Sequence, residues 1–278
     1  MNDIAKIPTA RKASIADAKI KMLVWGDTGC GKSRFALSSP KPLVIDTEKS
    51  TLLYANEFDF LVAEVNANDK PVNDVTKPGN NKTGTNTYTS LILTIIDELS
   101  NDLYDDVDTI VIDNITDVLD SYENHLLRSY EYNMLTKKDA NGNIQMTRSL
   151  GDLSAIERTK WYAYRRDHIR NFIDKIKALD KNIIFTGRSR LEWNGTQPTG
   201  NKIFDGHEIL PSLMDVVIHL KKERQGEING IVQKSRLGDL PDVIDVSKGW
   251  ESISEALINL KNNKFNDKRG ELNDAKAS

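Results

Sequence analysis

The chain has 278 residues, of which 28% are charged and 38% hydrophobic, and its net charge is −3. That length supports one substantial core, and no apolar run approaches the ~20 residues needed to span a bilayer. The charge balance argues against a broadly basic coat for nucleic acid, although it permits a local basic patch.

Residues 1–18 read as a polar leader without the apolar stretch of a secretory signal. Lys19 to Trp25 is a short apolar run that ends at Gly26, the pattern of a buried strand. A helix is expected to start near Gly31 and carry Arg34 to Leu37. Leu43 to Ile45 is a second buried strand closed by Asp46, and Phe60 to Val65 a third. Asn66 to Thr87 is rich in Asn, Lys, Thr, Pro and Gly and reads as a surface loop or insertion. Leu91 to Leu103 has helical spacing and feeds a fourth strand, Thr109 to Ile112. A helix follows from Asp117 to about Tyr132, then a loop from Leu135 to Met146 with an Asn141-Gly142 turn signal.

Ser154 to Leu179 is a long helix whose apolar stripe runs through Ile169, Phe172, Ile173 and Ile176. Its opening, Lys160 to Arg166, interleaves aromatic and basic residues; at helical spacing this reads as packing rather than nucleic-acid contact. Asn182 to Thr186 is a fifth strand, with a polar loop to Leu213. Val216 to Leu220 and Ile228 to Lys234 form a final strand pair joined at Gly226, and Trp250 to Leu260 a last helix. Strands alternating with helices imply one α/β domain over 19–261, a mostly parallel twisted sheet flanked by helices, followed by a polar tail over 262–278.

Gly26-Asp27-Thr28-Gly29-Cys30-Gly31-Lys32-Ser33 fits the phosphate-binding pattern G-x-x-x-x-G-K-[ST] in full. The glycines let main-chain N–H groups turn toward an anion, Lys32 supplies a point charge for the β- and γ-phosphates, and Ser33 supplies a hydroxyl for Mg2+. The pattern sits between an apolar strand and a helical segment, as the mechanism requires. A nucleoside triphosphate, ATP, with Mg2+ is the expected ligand. Asp113, at the end of the fourth strand, is the natural second partner of the metal. Glu48, just beyond the second strand, is placed to polarise an attacking water; from position alone a solvated loop glutamate reads equally well. Cys30 is the only cysteine, so no disulfide within the chain is possible, which suits a reducing cytoplasm. The four histidines lack cysteine companions, against a zinc site.

The order of P-loop, Asp46-Thr47-Glu48, Ile112-Asp113-Asn114, Asn182 to Thr186 and Lys234-Ser235-Arg236 resembles the RecA-type ATPase core. Within it, the chain is most similar to phage-encoded RecA-like ATPases linked to single-strand annealing and recombination. The resemblance spans about Lys19 to Gly238. It implies that Glu48 activates water, that Asp113 is the Walker B aspartate, and that Lys234 and Arg236 reach the γ-phosphate of a neighbouring protomer in a homo-oligomer. It implies single-stranded DNA as partner, a single-strand-binding protein as a companion, and the cytoplasm of a bacterial host as location. Where RecA has an amide after the fifth strand, this chain has Gly187 and Arg188; no counterpart of RecA's N-terminal element or C-terminal domain is evident. Arg188, Arg190, Trp193 and Lys202, in the polar stretch after the fifth strand, are the candidate DNA contacts, with Lys137, Lys138 and Arg148 in the earlier loop. Both stretches read equally as ordinary surface loops. The alternative function is a nucleotide-gated binding module with little turnover; a small-molecule kinase ranks below both.

Overall fold

The computed structural model describes residues 18–65, 88–99, 106–134, 136–138, 140–141, 144–147, 150–223, 226–237 and 240–262. Nearly all of the polar leader and tail, the Asn66 to Thr87 segment, Arg148 and Gly238 lie outside them. In chain order the elements are β1 (Lys21–Gly26), α1 (Lys32–Leu37), β2 (Pro42–Asp46), β3 (Leu61–Glu64), α2 (Tyr88–Leu99), β4 (Thr109–Asp113), α3 (Ile115–Met134), β5 (Thr136–Lys138), β6 (Ile144–Thr147), α4 (Ala155–Lys177), β7 (Asn182–Asn194), β8 (Gln197–Asp205), α5 (Ile209–Leu213), β9 (Val216–Lys222), β10 (Ile228–Ser235), β11 (Val243–Asp245) and α6 (Glu251–Asn262).

Nine strands form one sheet in the order β11-β10-β9-β1-β7-β4-β2-β3, with β8 paired only to β7. From β9 to β3 every neighbouring pair is parallel. β10 runs against both β9 and β11. β1, β2 and β4 are buried along their whole length, which is why they read as continuous apolar runs. Alternate residues feed two cores. Leu23, Ile45, Ile110, Ile112, Ile183 and Phe185 pack against α2, α3 and α4. Met22, Val24, Val44, Val111 and Ile184 pack against Phe35 and Leu37 of α1, Trp250 just before α6, and Ile253 of α6. Each fully buried Leu, Ile or Phe contributes about 1.5–3 kcal/mol of transfer free energy.

α4 begins with a capping box: the Glu157 amide donates to Ser154 Oγ, and the Ser154 amide donates to Glu157 Oε2. The aromatic-basic stretch that opens this helix packs as expected. Trp161 is buried against Tyr130, with ring centroids 5.1 Å apart.

Two stretches read as loops are strands. Thr136 to Arg148 contains the β5–β6 hairpin. Arg188 to Pro211 is mostly a two-stranded ribbon, because β7 continues eight residues past Thr186 and β8 returns beside it. The ribbon is polar and largely exposed, so it has no core-facing alternation to announce it. Its turn, Asn194-Gly195 with Gly195 at φ 62°, is a hairpin signal that the sequence reading passed over. At its root the Phe204 ring lies over Gly187 and Gly206, where a Cβ would come within 2.4 and 2.5 Å of the ring. The short helix α5 and strand β11 were also missed.

Candidate nucleotide site

β1, β2, β4 and β7 all point their carboxyl ends at one edge of the sheet. Gly26 pairs with Arg188, and Asp46 pairs with Asp113, so the P-loop, both acidic strand ends and the ribbon root converge. This is the crevice in which open α/β sheets hold ligands. Gly26 must be glycine, since a Cβ there would lie 2.3 Å from the Leu220 carbonyl oxygen. Gly29 and Gly31 adopt φ of 78° and 81°, the left-handed region, which curls the loop into α1.

The crevice holds a cavity of about 710 Å³ lined by Thr28, Gly29, Gly31, Lys32, Ser33, Thr47, Glu48, Ser50, Tyr54, Asp113, Asn114, Asp117 and Arg188. Lys32 Nζ donates back to the carbonyls of Gly26 (3.1 Å) and Asp27 (2.7 Å). Cys30 is buried beneath the loop, and burial raises its thiol pKa, so it acts as an apolar filler.

Asp113 is 3% exposed. Burial raises its pKa, while the Ser33 and Thr186 hydroxyls favour the charged form and Glu48 and Asp46 oppose it. Thr186 Oγ1 donates to Asp113 Oδ1. Oδ2 is buried with no hydrogen bond from the described residues, although the Ser33 hydroxyl is close enough to favour the carboxylate's charge. An orphaned carboxylate oxygen beside that hydroxyl fits a divalent cation. Among the described residues no group of three or more His, Cys, Asp or Glu could hold a metal alone. Ser33 and Asp113 are the residues that would hold Mg2+ here, and the ion would supply positive charge against the phosphates.

Asp46 and Glu48 have separate tasks. Asp46 is fully buried and accepts from the amides of Glu48, Lys49 and Thr51 and from Thr51 Oγ1, fixing the turn that presents Glu48. Thr47 ties that turn to β4: its amide donates to Asp113 O at 2.8 Å, and its Oγ1 accepts from the Asn114 amide at 3.0 Å. Glu48 Oε1 accepts from Asn114 Nδ2 and from Arg188 (2.6 Å). Arg188 also grips Asp117, through contacts of 2.8 and 2.9 Å. Glu48 is thus held at the cavity mouth in an acid–arginine–acid chain.

A family model described as an AAA domain matches residues 18–252. The chain belongs to that family. A search of curated proteins finds no match. AAA domains bind ATP and act as ATPases, the general activity that the P-loop and its acids support here. No helix among the described residues is long and apolar enough to cross a membrane.

Within this AAA domain the candidate DNA residues divide. Arg188 faces the nucleotide cavity, and Lys202 reaches back to the P-loop, where its Nζ bonds Asp27 Oδ2. Neither stands free on the ribbon: each is already paired with a carboxylate of the same chain. Arg190 pairs with Asp205 at 3.5 Å, and Trp193 is 56% exposed near the ribbon tip. Lys234 and Arg236 lie at the opposite, amino edge of the sheet. Lys234 Nζ donates to the carbonyls of Pro211 and Ser212, and Arg236 pairs with Asp215 at 2.8 Å. The sequence reading missed Asn114 and Asp117 at the site. Their signal was present: Asn114 Oδ1 accepts from the Asp117 amide at 2.8 Å, a helix N-cap immediately after the Walker B acid.

Proposed function

We propose that this AAA domain is a Mg2+-dependent, RecA-like ATPase in which Glu48 activates the attacking water, and that it acts on single-stranded DNA in phage recombination, annealing or replication. The observation that carries the reading is the cavity itself, where Lys32, Ser33, Asp113 and Glu48 converge around space for a triphosphate. A second cavity of about 440 Å³ shares Gly31 with the first and offers a place for the base, with Phe35, Phe58, Ile228 and Val246 as apolar walls and Arg34, Glu57 and Lys248 as polar ones. Glu48 serves as general base once its bonds to Arg188 and Asn114 give way to water. Lys32 leaves the loop carbonyls to meet the β- and γ-phosphates.

The ribbon supports the DNA role through exposed Trp193 and basic Arg190, suited to base stacking and phosphate contact. Lys234 and Arg236 supply charge to a neighbour's γ-phosphate in a homo-oligomer. The test is ATP hydrolysis with and without single-stranded DNA at low and high salt. Stimulation that fades as salt rises is expected; no DNA retention and no stimulation at low salt would sink the DNA role. The second reading, a nucleotide-gated module with little turnover, is favoured by Glu48 being already engaged by Arg188 and Asn114. It predicts tight ATP binding with negligible hydrolysis under all these conditions.

A further inference from the structure

The side chain of the second P-loop residue is turned to the ribbon and does not line the cavity. Asp27 Oδ1 accepts from Ser189 Oγ and Oδ2 bonds Lys202 Nζ, one donor from each strand of the ribbon. Ser189, Leu191 and Lys202 share a ribbon face, since Lys202 pairs with Leu191. The Asp27 main-chain carbonyl meanwhile anchors Lys32. A single residue thus joins the phosphate-binding lysine to the ribbon. The hydrogen bonds from Lys202 and Ser189 hold the Asp27 carboxyl below its usual pKa, so it is ionised at neutral pH.

We propose that Lys202 and Ser189 are positioning residues for the nucleotide, gripping Asp27 so that the ribbon sets the affinity of the P-loop. The inference rests on the nucleotide-binding reading of that loop. A bound triphosphate carries several negative charges, and a bare Asp27 carboxylate beside it repels them. Lys202 cancels that repulsion while the ribbon is docked, and Ser189 fixes the direction of the carboxylate. Both partners of the ion pair are nearly half exposed, with side-chain exposures of 44% and 48%, so the grip is weak enough to open. Linkage then gives the coupling a sign: any polyanion that takes Lys202 from Asp27 loosens the nucleotide, and bound nucleotide opposes that capture equally.

The experiment is a double-mutant cycle on nucleotide affinity, with MgATP titrated by calorimetry into the unsubstituted chain, Lys202→Met, Asp27→Asn and the double variant. Lys202→Met is expected to weaken MgATP roughly threefold to tenfold, raising KM more than it lowers kcat. In the Asp27→Asn background the same change should cost less than about twofold, because the charge it neutralised is gone. Lys202→Arg should restore most of the loss. An unchanged affinity for Lys202→Met overturns the proposal, as does an equal loss in both backgrounds, which would place Lys202 on the phosphates directly. Thermal unfolding of each variant separates these outcomes from misfolding. If the unsubstituted chain binds no MgATP, the nucleotide reading itself has failed, a result distinct from a flat cycle.

Discussion

Replacing Asp113 with Asn separates stability from metal binding. In the wild-type chain the carboxylate is buried beside Glu48 and Asp46, and among the described residues Oδ2 has no well-formed hydrogen bond, with the Ser33 hydroxyl its nearest support. An unsatisfied buried polar group costs about 1–3 kcal/mol. The amide keeps the acceptor that Thr186 uses and offers an N–H toward Ser33, with no charge to desolvate. The apo protein is therefore expected to gain about 1 kcal/mol, or roughly 2–4 °C in Tm. The same substitution removes the anionic ligand for Mg2+. Thermal unfolding in EDTA, in ATP with EDTA, and in MgATP checks both halves. Wild-type protein should show a large extra upward shift with MgATP over ATP alone, and Asp113→Asn a higher baseline without that shift. A variant less stable in EDTA that still gains stability from Mg2+ would refute the assignment of Asp113 as a strained metal ligand.

Glu48→Gln keeps the side chain's shape and its place beside Asn114, so ATP affinity should change less than about threefold while turnover falls ~10²–10⁴-fold, the usual worth of a general base; single-turnover assays separate the two. Gly187→Ala puts a methyl group about 2.4 Å from the Phe204 ring, so it should lower stability by about 1–3 kcal/mol in denaturant unfolding and loosen the ribbon root. Lys21 donates to the carbonyls of Leu179 and Lys181, and burial lowers its pKa from 10.5 to about 8. The unfolded chain then binds more protons between pH 8 and 10.5, so wild-type stability relative to Lys21→Met should rise across that window by on the order of 3 kcal/mol; a flat difference in denaturant unfolding at pH 7.5 and 10 would contradict it. Mixing Lys32→Ala protein with Lys234→Ala/Arg236→Ala protein should restore ATPase activity that neither has alone, and inactive mixtures over a range of concentrations would exclude a role in trans.

The phosphate loop was legible because its eight residues meet one local constraint, and the strands beside it because burial on both faces makes Met22 to Trp25 and Ile110 to Ile112 continuous apolar runs. The ribbon was not, because a two-stranded element projecting from the sheet buries little and carries polar residues on both faces. Arg188 shows a second limit. Its partners Glu48 and Asp117 lie 140 and 71 residues away in the chain, and only the parallel order of β1, β7, β4 and β2 brings them together. The partner of Lys202 is hidden for the same reason, since nothing local in the sequence announces a pairing with Asp27 across 175 residues.

The position of Lys234 bears on what its charge can do. Gly26 pairs with Leu220 of β9, and Lys234 pairs with Val217, three residues nearer the amino edge and two strands from β1. With ~3.3 Å per residue and ~4.8 Å between strands, these Cα atoms lie about 14 Å apart, with Lys234 on the far side from the phosphates. A lysine side chain cannot span that distance and then enter the cavity of its own chain. Its bonds to the Pro211 and Ser212 carbonyls offer a sufficient local task, satisfying the last turn of α5. Burial and the nearby Arg236 charge lower its pKa, so part of its cost is already present in the single chain. Arg236 differs: it is 63% exposed on its side chain and bound at one point to Asp215. It can exchange that carboxylate for a phosphate on another copy with little loss. If only one of the pair acts in trans, the geometry selects Arg236, and Arg236→Ala alone should remove most of the activity that mixing restores.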